Sequence, residues 1–144
     1  MLTTAEVQTH AADPTLAAAL AAGDDVAAAT RLSQLLTEIV PVPLNVMAAW
    51  AAQTGVRARL QDHADNVASP LRSIALTALD LLRGSMAESY DTQVYGGLLD
   101  ALQSGGVIGT NERAALTMLA THPRDVSAND VAAAVRNGDG SSKL

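Results

Sequence analysis

The residues with most capacity for chemistry sit together at Asp62-His63-Ala64-Asp65-Asn66, the chain's one compact cluster of metal-ligating types. On a helix, Asp62 and Asn66 are four positions apart and share a face. A zinc or di-metal site would need ligands converging from a second segment, and His10 and His122 stand in unrelated contexts. The cluster therefore reads as a solvated helix end, with no metal. Ser69, Ser73, Ser85, Ser104 and Ser127 offer hydroxyls, but none lies in a G-x-S-x-G elbow, and Ser69 and Ser127 serve better as helix caps. Gly96-Gly97 and Gly105-Gly106 lack the spacing of a phosphate-cradling loop. Asn137-Gly138-Asp139-Gly140 lacks the alternating acids and closing Glu of a calcium loop. These residues point to no enzyme and no cofactor.

Binding is the other use for side chains of these types. Arg57, Arg59 and Arg72 would make a local basic patch, or else pair with neighbours such as Asp62 and Asp65. Trp50 is a lone large aromatic among alanines, so it is either the main filler of the core or an interface anchor. Val46 and Met47 lie on its side of a helix and favour the core. The candidate interface residues are Val42, Met47 and Trp50 together with Arg57, Arg59 and Arg72. A docking role would show as an exposed apolar patch around Val40 to Trp50.

Composition narrows the classes further. The chain has 144 residues, long enough for one core and short for two. Its net charge of −6 opposes phosphate backbones and anionic membranes, so neither nucleic acid nor membrane is an expected partner. No Cys is present, which removes disulfides and thiolates. No run of about 18 apolar residues could span a bilayer, and Met1 to Glu6 lacks the basic start and apolar run of a signal peptide. No secretion by a signal peptide is expected. The hydrophobic fraction is 49%, but Ala dominates it and Phe is absent. Small side chains allow close helix packing and bury less area per contact, which makes self-association one remedy.

The elements that must carry these residues are helices. Thr3-Thr4-Ala5-Glu6 matches a capping box, Asp13-Pro14 restarts a helix that stops at Gly23, and Asp24-Asp25 opens another that fails near Glu38. Ile39-Val40-Pro41-Val42-Pro43 cannot be a helix interior and reads as an extended connector, unpaired. Helices follow over about 44–54 and 56–66, and Ser69-Pro70 opens one over 71–83. Leu71, Ile74, Leu76, Leu79, Leu81 and Leu82 make that helix apolar around most of its circumference, which predicts a central, largely buried element. Asp91 caps a helix with Val94, Leu98, Leu99 and Leu102, Gly109 to Glu112 restarts one through Ala120, and Ser127 starts the last. The fold class expected is all-α: a compact bundle of about six to eight short helices in a single domain over 1–138, with the connector at 39–43 and a disordered tail at 139–144.

The strings ADPTLAAALAAGDDVAAA, NVMAAWAAQTGVRARLQDHADNVASPLRSIALTALDLLRG and LLDALQSGGVIGTNERAALTMLATHP carry a resemblance. Taken together the chain resembles a family of small Ala-rich helical proteins of tailed bacteriophages and prophages of Gram-negative bacteria. The resemblance spans Asp13 to Arg136 and is most specific in WAAQTGVRAR and SPLRSIALTALDLL. It implies a virion component or assembly factor of the tail or fibre region, located in the virion or the host cytoplasm and partnered by other virion proteins or by copies of itself. The alternative is a small phage-encoded binder that antagonises a host protein or a signalling nucleotide. The family has no established functional residues to carry over.

Overall fold

The computed structural model describes residues 1–84 and 87–144; Ser85, one of the serines singled out above, lies outside the described residues. Its elements run α1 Thr4–His10, α2 Pro14–Ala22, α3 Asp25–Leu35, β1 Thr37–Ile39, β2 Val42–Pro43, α4 Leu44–Gln53, α5 Val56–Asp65, α6 Arg72–Leu82, β3 Ser89–Tyr90, α7 Gly96–Ser104, α8 Thr110–Ala120, β4 Thr121–Pro123 and α9 Ala128–Val135. The chain is mostly helical, as expected, but it is not purely α. Two small two-stranded sheets pair β2 with β3 and β1 with β4.

The chain divides into two compact units, Met1–Glu38 with Pro123–Leu144, and Ile39–His122. The buried side chains likewise gather into two clusters rather than the one core read from the sequence.

In the first unit α3 packs on α2 and α9, and α1 packs on α9, around Val7, Leu16, Leu32 and Val131. Each helix begins on a side-chain acceptor. The Thr3 hydroxyl accepts from the Glu6 N–H at 3.2 Å while the Glu6 carboxylate accepts from the Thr3 N–H at 2.8 Å. Asp13 accepts from the Leu16 N–H, Asp24 from the Ala27 N–H and Ser127 from the Asp130 N–H. Gly23 ends α2 with φ at 68°, a left-handed position that costs glycine nothing. Three ion pairs join distant parts of this unit: Arg31 with Asp13, Arg124 with Glu6, and Arg136 with Asp25. The tail expected to be disordered folds back on α9 instead. Arg136 bridges to Ser142, the Lys143 N–H donates to the Val135 carbonyl, and Asp139 takes the Ser141 N–H and O–H in a tight turn.

In the second unit α5 packs on α4 and α6, α6 on α7, and α4 also meets β2 and β3. The proline connector is extended, as its residues require, but it is paired. Val42 stands opposite Tyr90 and Pro43 opposite Ser89 in an antiparallel ladder. Pro41 and Pro43 forbid helix, and Val42 gains complete burial by taking the strand.

Two helix readings change. Helix α7 starts at Gly96, not Asp91, because the Asp91 carboxylate accepts from the Gln93 N–H and turns the chain through 91–95. Val94 consequently stands 73% exposed. Helix α6 buries Ala75, Ala78, Leu79 and Leu81 but leaves Leu76 41% exposed, so it is one-sided rather than buried all round. Its apolar circumference in sequence overstated its burial because short alanines, not the leucines alone, make the contact face.

Candidate functional site

The three aromatic residues of the chain, Trp50, Tyr90 and Tyr95, line the same cavity in the second unit. Helix α4 supplies Trp50 and Met47, α5 supplies Val56 and Leu60, α6 supplies Ala78 and Leu81, and α7 supplies Leu99 and Leu102. Tyr90 comes from β3, and Asp91, Thr92 and Tyr95 from the turn that follows it. The cavity holds about 50 Å³. Its walls are carbon almost throughout, since the oxygens of Asp91 and Thr92 contribute almost none of the surface.

Each aromatic is fixed by a specific partner. The Trp50 Nε1–H donates to the Glu112 carbonyl at 3.1 Å, which satisfies the indole and ties α4 to the first turn of α8. The Tyr90 hydroxyl donates to the Leu81 carbonyl near the end of α6, and the ring meets Tyr95 edge-on with centroids 5.7 Å apart. The strand pairing of Val42 with Tyr90 sets where that ring lies. A carbon-walled site of such volume can take a few apolar atoms.

The expected exposed patch from Val40 to Trp50 is not formed. Val42 is fully buried beneath its pairing with Tyr90, and Met47 and Trp50 are 9% and 7% exposed, in the cavity wall. Ile39, just before the stretch, stands 38% exposed. The three arginines are not gathered into a patch by shared partners either. Arg59 donates to the Val107 carbonyl at 2.8 Å and to both Glu112 carboxylate oxygens at 2.5 Å. The Gly109 N–H and Arg59 together hold the Glu112 carboxyl below its ordinary pKa. Arg72 donates through Nε to the Ala64 carbonyl at the end of α5, and Arg57 is exposed with no ion pair among the described residues.

The acidic cluster also resolves into local bonds. His63 Nδ1 lies 2.7 Å from the Ser69 hydroxyl, which in turn accepts from the Leu71 N–H. Asp65 accepts from Gln61, and Asn66 accepts from the Ala68 N–H. Among the described residues no three His, Asp or Glu side chains converge as a metal site. His63 and Ser69 are thus engaged where α5 ends and the turn before α6 begins. No helix of the described residues is long and apolar enough to cross a membrane.

Sequence reasoning reached Trp50 and Met47 but missed Tyr90, Tyr95 and the turn at 91–95. The signal was available in one form only: a chain with three aromatics brings two of them within five residues of each other. Compared with protein-family models, curated proteins and solved structures, the chain has no significant match.

Proposed function

We propose that the protein is a non-catalytic helical interaction module, working as a structural or assembly component of a phage virion in the tail or fibre region. The observation that carries the binding part of this reading is the gathering of all three aromatics around one apolar cavity. Aromatic side chains lend large contact area with little rotamer freedom, which is why they concentrate where proteins bind. The virion part rests on the family resemblance of the stretches from Asp13 to Arg136.

The antagonist of a signalling nucleotide is the weaker reading. It would need free guanidinium groups on Arg57, Arg59 and Arg72, and the Arg59 and Arg72 groups already donate within the fold.

Quantitative mass spectrometry of purified particles, from the phage whose genome encodes the chain, tests the proposal. A copy number near a multiple of three or six, as ring symmetry requires, is the expected result. Absence from particles, despite expression in infected cells, would overturn the virion role.

A further inference from the structure

We propose that Asn137 is the site of a spontaneous covalent modification, deamidation through a succinimide, which releases the segment 139–144 from the end of α9. This goes beyond the interaction-module reading and does not depend on it. The chain has five asparagines, and Asn137 alone is followed by glycine. A succinimide forms when the next residue's backbone nitrogen reaches the asparagine Cγ, which a bulky next side chain or a helical backbone obstructs. Asn45, Asn111 and Asn129 lie within α4, α8 and α9, and Asn66 precedes the β-branched Val67. Asn137 and Gly138 are exposed and outside any helix.

The same turn holds a second candidate, Asp139 before Gly140, and the hydrogen bonds tell the two apart. The Gly140 N–H donates to the Asn137 carbonyl at 2.9 Å, whereas the Gly138 N–H makes no hydrogen bond among the described residues. The Asp139 carboxyl is also held below its ordinary pKa, chiefly by the Ser141 O–H, and an ionised carboxylate is a poor electrophile. At Asn137 the Gly138 nitrogen gives up its proton and bonds to Cγ, the Cγ–Nδ2 bond breaks, and Nδ2 departs as ammonia. Water then opens the ring. Cleavage of the Cγ–N bond leaves aspartate, and cleavage at the main-chain carbonyl leaves isoaspartate, whose chain runs through Cγ and is one carbon longer.

Either product undoes the turn. Asn137 Nδ2 donates to Ser141 Oγ at 2.9 Å, and the Ser141 hydroxyl donates to Asp139 at 2.6 Å. A carboxylate at 137 has no proton to give, and the one proton of Ser141 Oγ is already taken by a second carboxylate. The new charge also lies just past the C-terminal end of α9, where the helix dipole opposes it. The effect reaches α9 because Lys143 caps that helix. Its N–H donates to the Val135 carbonyl and its Nζ to the Ala133 carbonyl, each at 2.7 Å, so release of the segment strips two of the last four carbonyls of α9 of their partners.

Incubation of the full chain at mildly alkaline pH, followed by peptide mapping with mass spectrometry and by amide hydrogen exchange, tests this. The peptide holding Asn137 should convert from amide to acid, as a mixture of aspartate and isoaspartate, before Asn66 converts or Asp139 isomerises. The Lys143 amide should exchange faster in step with that conversion, and in Asn137→Asp without incubation. Gly138→Ala should slow conversion several-fold and leave the Lys143 amide as in the parent, because a carbon added at Gly138 meets nothing within 4 Å and its φ is not left-handed. No conversion at Asn137, or conversion at Asn66 at the same rate, would overturn the site. Equal rates in the parent and in Gly138→Ala would overturn the succinimide route. Conversion with the exchange of the Lys143 amide unchanged would overturn the release.

Discussion

Arg59 reaches from α5 to both carboxylate oxygens of Glu112 at the start of α8, while the same carboxylate accepts the Gly109 N–H at 2.7 Å. One side chain thus caps a helix and anchors it to another element. The Trp50 indole donates to the carbonyl of the same residue, so the peptide and the side chain of Glu112 are both in use. Glu112→Ala removes the cap and leaves a half-exposed guanidinium without its partner. The expected cost is about 1–2 kcal/mol, in line with the loss of a helix cap. Urea unfolding followed by Trp50 emission measures it, and Arg59→Ala should cost less in that background than in the parent, because only its bond to the Val107 carbonyl is left to lose.

Leu79 and Leu76 sit three residues apart on α6 and should respond very differently to truncation. Leu79 is 3% exposed within the second unit's cluster, so Leu79→Ala should cost about 2–5 kcal/mol. Leu76 is 41% exposed, and Leu76→Ala should stay within about 0.5 kcal/mol of the parent. Equal effects at the two positions would contradict the one-sided burial of α6.

The helices were legible because their ends are written in local chemistry. Thr3 with Glu6, Asp13 with Pro14, Asp24, Ser127 with Asp130, and Gly109 with Glu112 each satisfy backbone donors within three residues. What escaped was settled by distant partners. Val42 became a strand because Tyr90 lies opposite it, 48 positions later by residue number, and no rule about prolines names that partner. Asp91 looked like a helix cap because its type suits one, but its carboxylate closes a turn with Gln93 and the helix waits until Gly96. The candidate site was half visible for the same reason. Trp50 and Met47 share a helix and could be read together, whereas Tyr90 and Tyr95 join them only through the strand pairing and the turn. The tail at 139–144 looked free to move because its residues are small and polar, yet Asp139 finds donors in Ser141 two residues on.

Gly105 ends α7 where the Leu71 side chain lies against its α-carbon, and a side chain there would collide with Leu71. Its φ of −79° suits any residue, so the constraint is steric and not conformational. Gly105→Ala should therefore destabilise by about 1 kcal/mol, the low end for overpacking against a flexible side chain. Gly106 makes the opposite case. Its φ is 77° and nothing lies within reach of an added carbon, so Gly106→Ala should cost about 1 kcal/mol through backbone strain alone. Leu71→Ala separates the two: it should relieve the penalty at Gly105 and leave the one at Gly106 unchanged. A double-mutant cycle by denaturant unfolding reads both, and a Gly105 penalty that survives Leu71→Ala would place the clash elsewhere.

Acid should loosen the first unit before the second. Glu6 is held down to about 2 from 4.5, first by the Thr3 N–H and then by Arg124, and Asp13 to about 2 from 3.8 by Arg31 and the Leu16 N–H. Both groups have folded pKa values below their unfolded ones. Their contribution is complete above the unfolded values and is lost as pH falls through the folded ones, so the sensitive window runs from about pH 4.5 down to about 2. Asp130 and Asp139 are lowered in the same unit, chiefly by their bonds to Ser127 and Ser141. The second unit has Glu112 as its one carboxyl lowered in this way among the described residues. Trp50 and both tyrosines belong to that unit, so Trp50 emission and near-ultraviolet circular dichroism report on it alone. Far-ultraviolet ellipticity reports on the helices of both. On acidification the far-ultraviolet signal should begin to fall while Trp50 emission holds, and amide protection in α1, α2 and α3 should decrease before that in α5 and α6. Glu6→Gln should flatten the early phase, since the substituted amide does not titrate. Coincident transitions by every probe would show that the ion pairs of the first unit are not what fails first.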